Sequence, residues 1–452
     1  MAQPSRQADI VFVGAGSAGL SGAVRAGELG LKAVVLEKLG SCGGDTLIAA
    51  GFWLAGGTRF QRALGIEDSA DGLYRYLMEY SSYRCRPDLI RVLADRAAPN
   101  LEWLESQGLT FQADVHAHGT TSVRRVHQNV GMGPQYVKVM KERAEQLGAE
   151  ILLKTGAKEL ILEGDRVAGV VAETAAGDTI DIRARGVGLT AGGFGKNDEW
   201  VGEHLPFKSR YTMVCAGWAR GDGVRMARQA GADIADLDAC IAYKAEMPDT
   251  AGLSMRSFYL LLARDYVVVN QLGERFMDES IWNAHFAHAL NVQPNATAYA
   301  VLDETMRTAN PFYDFAKEVE SGRVKKAGTF AELARAAGLP ADAFAATLDR
   351  YNAGAREGQD REFGKAAGLL RPLENPPYYA VELVPLILNT VGGPRIDARA
   401  RVLGPGGAPV PGLYAAGNNT AGFYDSYPST GMGLQMSSIF GQVAAEHLKQ
   451  TL

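Results

Sequence analysis

The apolar positions near the start of the chain are spaced as a strand, a turn, a helix and a second strand. Residues 9–13 form an apolar run that ends in the glycine-rich segment 14–19, after which the apolar spacing becomes helical. Residues 32–36 form a second apolar run, which ends at Glu37. This order predicts a β–α–β unit whose turn presents bare backbone N–H groups to a dinucleotide pyrophosphate and whose acid binds a ribose hydroxyl. A glycine turn that merely packs a helix on a strand is the alternative interpretation.

The rest of the chain carries shorter signals of the same two kinds. Helical spacing extends from residue 71 to 108, and a last helix is predicted from about residue 431 to 449. Strand-like runs occur at residues 150–153, 157–171 (a hairpin around Gly164-Asp165), 187–191, 379–384 and 401–403. A second glycine-rich segment, residues 411–417, predicts a nucleotide site that both terminal parts of the chain build together.

The pattern changes between residues 238 and 375, where glycine becomes rarer and helical runs appear at 331–337 and 341–351. We interpret this part as an inserted domain. The predicted division is therefore 1–237 and 376–452 for a discontinuous nucleotide-binding domain of α/β class, with 238–375 as an α+β capping domain for the substrate.

Composition limits the partners. The 452 residues are 47% hydrophobic and 21% charged, which provides enough apolar surface for two or three cores. A net charge of -5 gives no support for a nucleic acid or a polybasic membrane contact. The four cysteines are scattered, which argues against a disulfide framework, a zinc ribbon or haem attachment. No apolar run reaches about 18 residues and the first strand begins almost at once, so we expect a cytoplasmic protein without a membrane span.

Six motifs in a fixed order carry a family resemblance. They are Gly14-x-Gly16-x-x-Gly19 with Glu37, Gly43-Gly44-Asp45-Thr46, Ala191-Gly192-Gly193-Phe194, Gly221-Asp222-Gly223, residues 269–279 and residues 412–417. The chain resembles the superfamily of FAD-dependent fumarate reductase and succinate dehydrogenase flavoproteins. The resemblance implies a Rossmann-type FAD-binding domain, a capping domain, and hydride exchange between flavin N5 and a substrate carbon. Members with covalent FAD carry a histidine in the Gly-Gly-Asp-Thr region, where this chain has Asp45, so non-covalent FAD is expected.

By this resemblance, FAD is expected to contact residues in both terminal parts of the chain. The expected contacts are Gly14, Gly16, Ser17, Ala18, Gly19, Glu37, Lys38, Gly43, Gly44, Asp45, Thr46, Ala49, Gly51, Ala157, Ala191, Gly192, Asp222, Gly417, Asn418, Gly433 and Leu434. No metal site is expected, because no acid or cysteine is spaced to complete one with His285 and His288.

The cations that fumarate reductases use to bind a dicarboxylate are missing from the corresponding positions. Asn283 stands where the proton-delivering arginine is expected, Pro428 where a late arginine is expected, and Asn389 where a histidine is expected before Thr390. Burying two carboxylates without cationic partners costs several kcal/mol. The sequence therefore argues against a fumarate-type site in the usual arrangement.

In place of those cations, residues 424–431 are similar to the Tyr-Pro-x-x-Gly element of 3-ketosteroid dehydrogenases. The resemblance implies that Tyr427 and the amide of Gly431 hydrogen-bond a substrate ketone. Removing a proton beside a carbonyl places negative charge on its oxygen, and each aimed donor stabilises that charge by about 3 kcal/mol. Gly431 also opens the predicted last helix, whose N-terminal partial charge favours an enolate. A core tyrosine before a proline turn is the alternative for Tyr427.

The general base is the point at which the chain departs from ketosteroid dehydrogenases. The position of their catalytic tyrosine, four residues after Glu279, is Asn283, and asparagine cannot accept a proton. The remaining candidates are His285, Tyr259, Tyr243 and Tyr266. A neutral histidine is the better base near pH 7. His285 and His288 are equally explained as packing or surface residues.

Arg264 lies in an otherwise apolar run, residues 258–269, near where the family places substrate ligands in the capping domain. An arginine there would bind a substrate carboxylate through two hydrogen bonds, and a keto acid would then fit better than a plain steroid. A salt bridge to Asp265 or a solvated turn explains the same residue.

Together these features predict an FAD-dependent dehydrogenase that introduces a C=C bond α,β to the ketone of a cyclic or steroid-like substrate or of a keto acid. The first alternative is an ene-reductase or a desaturase of a small carboxylic acid, resembling fumarate reductase or tricarballylate dehydrogenase. The second is a flavin carrier without turnover. The chain has no second dinucleotide fingerprint and no redox-active cysteine pair, so electrons are expected to pass to an external acceptor such as oxygen, a quinone or a protein.

Overall fold

The computed structural model describes residues 6–117, 123–205, 212, 213, 215, 217–246, 265–281, 283–308, 315–423 and 429–452; for residues 212, 213, 241–246, 283 and 284 it gives the backbone element only. The strands within these residues are β1 (Arg6–Val13), β2 (Ala33–Leu36), β3 (Phe52–Leu54), β4 (Phe111–His116), β5 (Val126–Asn129), β6 (Glu150–Leu152), β7 (Thr155–Glu163), β8 (Arg166–Thr174), β9 (Thr179–Leu189), β10 (Thr212–Met213), β11 (Ile234–Ala235), β12 (Cys240–Glu246), β13 (Val267–Asn270), β14 (Ala298–Leu302), β15 (Val324–Ala327), β16 (Tyr378–Thr390), β17 (Gly393–Pro394), β18 (Arg401–Leu403) and β19 (Pro409–Ala415). The helices are α1 (Ser17–Glu28), α2 (Arg59–Ala63), α3 (Ala70–Tyr80), α4 (Pro87–Ser106), α5 (Met132–Gln146), α6 (Asp198–His204), α7 (Asp222–Gln229), α8 (Asn283–Asn291), α9 (Glu304–Thr308), α10 (Phe315–Glu320), α11 (Phe330–Ala337), α12 (Ala341–Glu357) and α13 (Met432–Thr451). None of the helices in these described ranges has the length and apolar composition that crossing a bilayer requires.

Contacts divide the chain into two compact units. Unit 1 comprises Met1–Pro206, Cys215–Ile241 and Asn389–Leu452, and unit 2 comprises Phe207–Val214 and Ala242–Leu388. The sequence pattern predicts the second crossing between the domains at residue 376. In the structure that crossing lies near the end of β16, between Leu388 and Asn389, because β16 pairs with β14 and β15 of unit 2. The functional division into an FAD-binding domain and a capping domain stays a prediction.

The main sheet of unit 1 is centred on β1. In the described part of the chain this sheet has eight strands, six of them in the order β18-β19-β9-β1-β2-β6. β1 lies parallel to β2 and to β9, and β19 lies parallel to β9. The β7–β8 hairpin joins the sheet through β9. The N-terminal pattern is therefore a parallel β–α–β unit as predicted, and the α/β class is confirmed.

Helices α1 and α13 approach each other so closely that only glycine fits between them. A Cβ on Gly441 would lie 2.2 Å from the main-chain oxygen of Ala18, and a Cβ on Gly22 would lie 2.4 Å from the ring of Phe12 and 3.0 Å from the main-chain oxygen of Gly441. Any side chain at these positions would separate the two helices. Segments from the two ends of the sequence are thus joined by backbone contact.

The helical spacing predicted across residues 71–108 is interrupted in the structure. α3 ends at Tyr80, and Ser82 and Tyr83 have left-handed φ angles of 52° and 60°. Pro87 then begins α4, a position at which its missing N–H is not needed. Because α3 and α4 both bury apolar faces in the same core, the apolar spacing continues across the break and hides it in the sequence.

Unit 2 is built on a sheet in which β16 is central. Among the described residues the order is β10-β16-β14-β13, and β12 and β15 also pair with β16. Side chains of α8, α11 and α12 form one hydrophobic core with these strands; its buried aromatic residues include Tyr266, Phe286, Phe344 and Tyr351.

A buried cluster of charged side chains joins distant parts of unit 2. Arg275 donates two hydrogen bonds to Asp360 (3.0 and 2.8 Å) and one to Glu279 (2.9 Å). Lys365 donates to the main-chain oxygen of Tyr266 (2.7 Å) and lies 3.4 Å from Glu279. Burial by itself would raise the pKa of Asp360, but the hydrogen bonds from Arg275 outweigh it and hold that pKa well below its usual range. Each buried charge is thus compensated by one of opposite sign.

Candidate functional site

A cleft of about 880 Å³, open to solvent, lies at the carboxyl ends of β1, β2 and β9, beside the start of α1. The carboxyl edge of a parallel sheet is where ligands bind in folds of this kind. The cleft is lined by Val13, Gly14, Ala15, Gly16, Ser17, Ala18, Leu36, Glu37, Lys38, Leu39, Gly43, Gly44, Asp45, Thr46, Thr155, Gly156, Ala157, Thr190, Ala191, Gly192, Trp218, Ala219, Asp222, Gly417, Asn418 and Ser437.

The turn between β1 and α1 has no room for side chains. Gly14 has a φ of 111°, and a Cβ there would lie 2.6 Å from the main-chain oxygen of Thr190. The Thr190 hydroxyl lies 3.0 Å from the main-chain oxygen of Val13 and 2.9 Å from that of Gly14. The turn is therefore fixed against the end of β9 while its backbone stays bare toward the cleft, which is what close approach of a phosphate group requires.

The start of α1 meets a second loop, residues 43–46. Gly16 is the N-cap of α1, and no side chain caps it. The N–H of Ser17 donates to Oγ1 of Thr46 (3.0 Å), and the N–H of Gly43 donates to the main-chain oxygen of Ala15 (3.0 Å). A helix N-terminus carries partial positive charge, so this corner of the cleft favours an anion.

Glu37 places a carboxylate in the cleft at the end of β2. It is 7% exposed and accepts hydrogen bonds from the N–H of Ala15 (3.1 Å) and the N–H of Leu39 (2.9 Å). The two oxygens are therefore held in fixed directions by backbone donors. An ionised carboxylate accepts more than two hydrogen bonds, so Glu37 keeps capacity for hydroxyl groups of a ligand.

The outer edge of the cleft is closed by an ion pair. Lys38 donates to Oδ2 of Asp222 (2.6 Å) and to the main-chain oxygen of Trp218 (2.7 Å). Both charged side chains are about one third exposed, at 36% and 32%. The pair therefore positions the loop that carries Trp218 more than it stabilises the fold.

Asp45, which is half-buried and lines the cleft, forms a polar pair with the buried Asn389. Nδ2 of Asn389 donates to Oδ2 of Asp45 at 2.5 Å. Asn389 is 3% exposed, and within the described residues its Oδ1 has no hydrogen-bond partner. Burial, followed by the charge of Asp45, raises the pKa of Cys215 to about 12, so this thiol stays protonated. The position that carries a histidine in covalent flavoproteins thus holds a carboxylate bound to an amide.

The C-terminal part of unit 1 contributes the last wall of the cleft. Gly417 has a φ of 84°, and a Cβ there would lie 3.3 Å from Oγ of Ser437 and 3.5 Å from Cβ of Ala18. Asn418 and Ser437 line the cleft as well. Residues more than 400 positions apart therefore face the same space, as the two glycine-rich segments predict.

Five predicted contacts lie outside this lining: Gly19, Ala49, Gly51, Gly433 and Leu434. A Cβ on Gly19 would lie 2.0 Å from the main-chain oxygen of Gly14, so Gly19 packs α1 on the turn. The main-chain oxygens of Ala49 and Gly51 accept from Gly133 and Asn129, both at 3.0 Å, and anchor their loop to α5 and β5. Gly433 and Leu434 lie in the first turn of α13, about one turn before Ser437.

Several lining residues have little or no signal in the sequence. Thr155 and Gly156 precede the predicted Ala157, and Thr190 precedes Ala191, so a wider reading of those two motifs would have included them. Ser437 follows Gly433 by four positions, which places both on one face of α13. Trp218 has no motif of its own and enters the cleft through the contact with Lys38.

Gly431 is the N-cap of α13 and has a left-handed φ of 85°. Its main-chain oxygen accepts from the N–H of Leu54 (3.2 Å), and a Cβ on it would lie 2.7 Å from that nitrogen. No acceptor in the described part of the chain receives the N–H of Gly431. The start of α13 is thus fixed against β3 with its first amide available.

Two residues before Gly431, Ser429 is held from the side. Its hydroxyl lies 3.0 Å from the hydroxyl of Tyr76 on α3, and Ser429 is 3% exposed. The guanidinium of Arg125 lies 5.1 Å from the centre of the Tyr76 ring, and Arg125 is itself bound through two hydrogen bonds to Asp68 (2.7 and 2.8 Å). The approach to α13 is therefore fixed by buried polar contacts.

The predicted proton acceptors belong to unit 2. His285 lies on α8 and is exposed; loss of hydration beside its neighbours, and then His288, lower its pKa. Tyr266 is buried in the core, where its main-chain oxygen binds Lys365. Tyr427, Tyr259 and Arg264 lie outside the described residues, as do the side chains of Asn283 and Tyr243.

Metal chemistry has no candidate centre in the described residues. No group of three histidine, cysteine, aspartate or glutamate side chains is placed there to hold an ion. The four cysteines, all of them described, are buried and form no disulfide.

Residues 9–434 match a family model described as the FAD binding domain. The chain belongs to this family. The chain is 28% identical over 439 residues to the NADH:fumarate oxidoreductase of Klebsiella pneumoniae. The aligned region covers 96% of this chain and 47% of that protein. It is 30% identical over 456 residues to a probable fumarate reductase, Ifc3, of Shewanella frigidimarina, with 99% and 75% of the two chains covered. The chain thus spans about half the length of the first of these relatives and three quarters of the second.

A solved structure of 3-ketosteroid-Δ4-(5α)-dehydrogenase from Rhodococcus jostii RHA1, in complex with 4-androstene-3,17-dione, is also similar. The identity is 25%, the TM-score is 0.84, and 99% of this chain and 98% of that chain are covered. The resemblance drawn from the motifs is confirmed, and the protein is an FAD-dependent oxidoreductase of the fumarate reductase and ketosteroid dehydrogenase type.

The residues of the cleft fit FAD. The bare turn and the start of α1 suit the pyrophosphate, Glu37 suits a ribose, and Gly417 with Ser437 leaves room beside α1 for a flat ring system. We propose these residues as the FAD site of the flavoprotein, and Asp45 in place of histidine supports non-covalent binding.

Proposed function

We propose that this flavoprotein is a dehydrogenase that introduces a C=C bond α,β to the ketone of a cyclic or steroid-like substrate. The observation that carries the proposal is the fixed amide of Gly431 at the N-terminus of α13, whose N–H has no acceptor among the described residues. Loss of a proton beside a ketone moves negative charge onto its oxygen. A backbone N–H that binds that oxygen, at the positive end of a long helix, would stabilise this charge in the transition state.

Tyr427 is proposed as the second donor to the same oxygen, because its position in the Tyr-Pro-x-x-Gly element matches that of ketosteroid dehydrogenases. Within this element, Ser429 is buried and contacts the Tyr76 hydroxyl, and the half-buried Gly431 accepts from the N–H of Leu54. A hydroxyl and an amide that converge on one oxygen would bind the ketone without any cation. This supports a neutral substrate over a dicarboxylate.

The proton beside the ketone needs an acceptor, and His285 is proposed for this role. Loss of hydration and the neighbouring His288 lower the pKa of this exposed side chain, so the neutral ring dominates near pH 7. Tyr259, Tyr243 and Tyr266 stay alternatives. Bound FAD supplies the hydride acceptor at N5 for the β carbon.

Anaerobic titration of the yellow protein with saturated cyclic ketones tests the proposal. We expect the visible flavin absorption to bleach with a 3-ketosteroid or a related cyclic ketone, and to bleach at least 100-fold more slowly in Tyr427→Phe. Tyr414→Phe is the matched control, because its hydroxyl binds His447 away from the cleft. The desaturase proposal would be contradicted if no ketone bleached the flavin and enoates re-oxidised the reduced protein instead.

A reductase or desaturase of a small carboxylic acid is the second candidate, and the 30% identity to a probable fumarate reductase favours it. Against it stand Asp45, which places an acid in the cleft wall, and Asn389, which places an amide next to that acid. Arg264 is the proposed carboxylate ligand in that case. Loss of activity on an acid in Arg264→Ala, with activity on ketones unchanged, would select this candidate.

We also propose that reduced FAD passes its electrons to an external acceptor, which is oxygen, a quinone or another protein. A cytoplasmic location stays a prediction from the sequence. Stopped-flow re-oxidation of the reduced protein by oxygen and by a soluble quinone would rank the small acceptors, and slow reaction with both would favour a protein.

A further inference from the structure

A continuous row of buried polar groups runs from the cleft into the helices of unit 1. It connects Ser17 Oγ to Tyr136 Oη (3.1 Å), Tyr136 Oη to Ser21 Oγ (2.6 Å), Ser21 Oγ to Ser438 Oγ (2.9 Å), and Ser438 Oγ to Asn100 Oδ1 (3.1 Å). All five residues are 4% exposed or less. Ser17 is the member of this hydroxyl row that lines the cleft.

The far end of the hydroxyl row is fixed as an acceptor. Gln435 donates to the main-chain oxygen of Ala97 (2.6 Å), which turns its Oε1 toward Nδ2 of Asn100 (3.3 Å). Gln442 donates to Oδ1 of Asn100 (2.7 Å). Oδ1 of Asn100 can therefore only accept, and the hydroxyl of Ser438 has to donate to it.

The number of protons then sets the direction of the whole row, because each hydroxyl has only one. With Ser438 donating to Asn100, Ser21 donates to Ser438, Tyr136 donates to Ser21, and Ser17 donates to Tyr136. Every hydroxyl proton is used. The proton of Ser17 points away from the cleft, so the Ser17 oxygen turns lone pairs toward it.

This direction is unfavourable for an anion beside the start of α1, and Tyr136 provides the means to reverse it. The Tyr136 hydroxyl lies 3.1 Å from the main-chain oxygen of Ser17, a second acceptor for its proton. At 2.6 Å, Ser21 can be the donor to Tyr136 as well as its acceptor. Ser438 would then lose the Ser21 donor, but it still accepts from Gln442 at 3.2 Å.

We propose that Tyr136 is a positioning residue for FAD, which acts through the hydroxyl of Ser17. When the pyrophosphate enters the cleft, the Ser17 proton turns to a phosphate oxygen, Ser21 donates to Tyr136, and Tyr136 donates to an oxygen of Ser17. The hydroxyl protons reorient by rotation about the C–O bonds, and no covalent bond forms or breaks. The inference rests on FAD binding at Ser17 and is independent of the substrate proposed above.

Phenylalanine cannot take part in this exchange, because it has neither donor nor acceptor. Tyr136 is fully buried, and its ring packs 5.2 Å from that of Trp53. Burial raises its pKa to about 12, so the hydroxyl keeps its proton in any working buffer. A hydrogen bond to the charged pyrophosphate gains strength when its own donor group is hydrogen-bonded from behind.

A double-mutant cycle on FAD affinity tests the inference. FAD is titrated into apoprotein of the wild type, Tyr136→Phe, Ser17→Ala and the double variant, and Kd is measured by quenching of flavin fluorescence. We expect Kd to rise about 10-fold in each single variant and no further in the double variant than in Ser17→Ala. If the two losses multiply, Tyr136 does not act through Ser17 and the inference is overturned.

Two further variants separate this role from a purely structural one. Tyr414→Phe removes another buried tyrosine hydroxyl of unit 1, bound to His447 at 3.0 Å, and should leave Kd unchanged. The Tm of each apoprotein is measured in parallel; a Kd that merely follows Tm across the set overturns the inference. Should Tyr136→Phe fail to fold, Ser21→Ala takes its place in the cycle, and an unchanged Kd there overturns the inference equally. No substrate is used, so the outcome does not depend on the proposed desaturase reaction.

Discussion

The N–H of Leu54 donates to the main-chain oxygen of Gly431 at 3.2 Å, and this one contact ties the start of α13 to β3. Gly431 has a left-handed φ of 85°, and the position of its missing Cβ is 2.7 Å from the Leu54 nitrogen. Both the backbone angle and the lack of space require glycine here. The residue is therefore constrained by packing whether or not its amide binds a substrate.

Gly431→Ala is expected to lower the free energy of unfolding by about 3 kcal/mol or more, since it combines a strained φ with a clash. Gly30→Ala is the matched control, because Gly30 has a φ of 72° and nothing within 4 Å of its Cβ position; a loss of about 1 kcal/mol is expected there. Urea unfolding of both variants measures the difference. Equal losses would mean that β3 moves aside and that the clash is relieved.

Tyr76→Phe is expected to lower kcat about 10-fold with little change in KM, since it removes the partner that holds Ser429 two residues before Gly431. Tyr74→Phe on the same helix is the control, because the Tyr74 ring packs on Arg91 instead. Steady-state kinetics with the ketone found by flavin bleaching measures both. A rise in KM without a change in kcat would contradict a positioning role.

Glu37→Gln is expected to weaken FAD binding by about 10-fold to 100-fold. The carboxylate accepts one backbone N–H on each oxygen, and the amide group of glutamine would face one of these donors with its own N–H. Asp9→Asn is the control, since Asp9 accepts from the N–H of Lys32 near the start of β1, outside the cleft. Titration of apoprotein with FAD gives both values, and equal affinities for Glu37→Gln and wild type would remove Glu37 from the site.

Glu37 belongs to the part of the site that the sequence alone predicts. The acid, the turn at Gly14 and the second strand lie in one short local pattern, and the structure brings them together as that pattern predicts. Gly51 carries an equally strong glycine signal. A Cβ on Gly51 would lie 2.6 Å from Oδ1 of Asn129, so glycine is needed there to make room for Asn129 and not for a ligand. Local pattern identifies a position that needs glycine, and only the tertiary contact decides what approaches it.

Long-range contacts explain the other differences. The interruption of the helix after Tyr80 cannot be seen in the sequence, because α3 and α4 both bury their apolar faces in the same core. The unit boundary near the end of β16 depends on pairing with β14 and β15, which lie about 80 and about 50 residues earlier, and no local pattern encodes this pairing. Trp218 enters the cleft through a main-chain contact with Lys38, to which any residue type at position 218 would be equally suited.

His285→Ala is expected to lower the rate of flavin reduction by about 100-fold. The remaining rate should no longer decrease at acidic pH. The neutral ring is the base, and loss of hydration together with His288 lowers its pKa, so the wild-type rate should fall only as pH drops below the ordinary histidine value. His288→Ala, three residues later on α8, is the control and should keep the acidic limb. Anaerobic stopped-flow reduction between pH 5 and pH 9 measures it. If the pH dependence of flavin reduction is unchanged in His285→Ala, the general base is a tyrosine instead.

Asp360→Asn is expected to destabilise the protein by about 3 kcal/mol at pH 7, because it leaves Arg275 with too few buried partners. The folded-state pKa of Asp360 is below its unfolded value, so the stabilisation is present above the unfolded pKa and is lost as pH falls through the folded one. Between pH 6 and pH 2 the variant should therefore lose less stability than the wild type.

Urea midpoints at a series of pH values test this comparison. Asp349→Asn is the control, because Asp349 is an exposed residue of α12. Parallel curves for Asp360→Asn and the wild type would show that the Arg275 pair contributes nothing to acid stability.

The glycine contact between α1 and α13 has a consequence for how the protein is made. A ribosome that stalls before residue 432 has already produced β1, the turn and Glu37, yet α1 has no partner to close over Gly22, and Ser437 is missing from the cleft. Flavin binding is therefore expected only after Ser437 has been synthesised and has left the ribosome. Chains that end before Ser437 are expected to stay colourless.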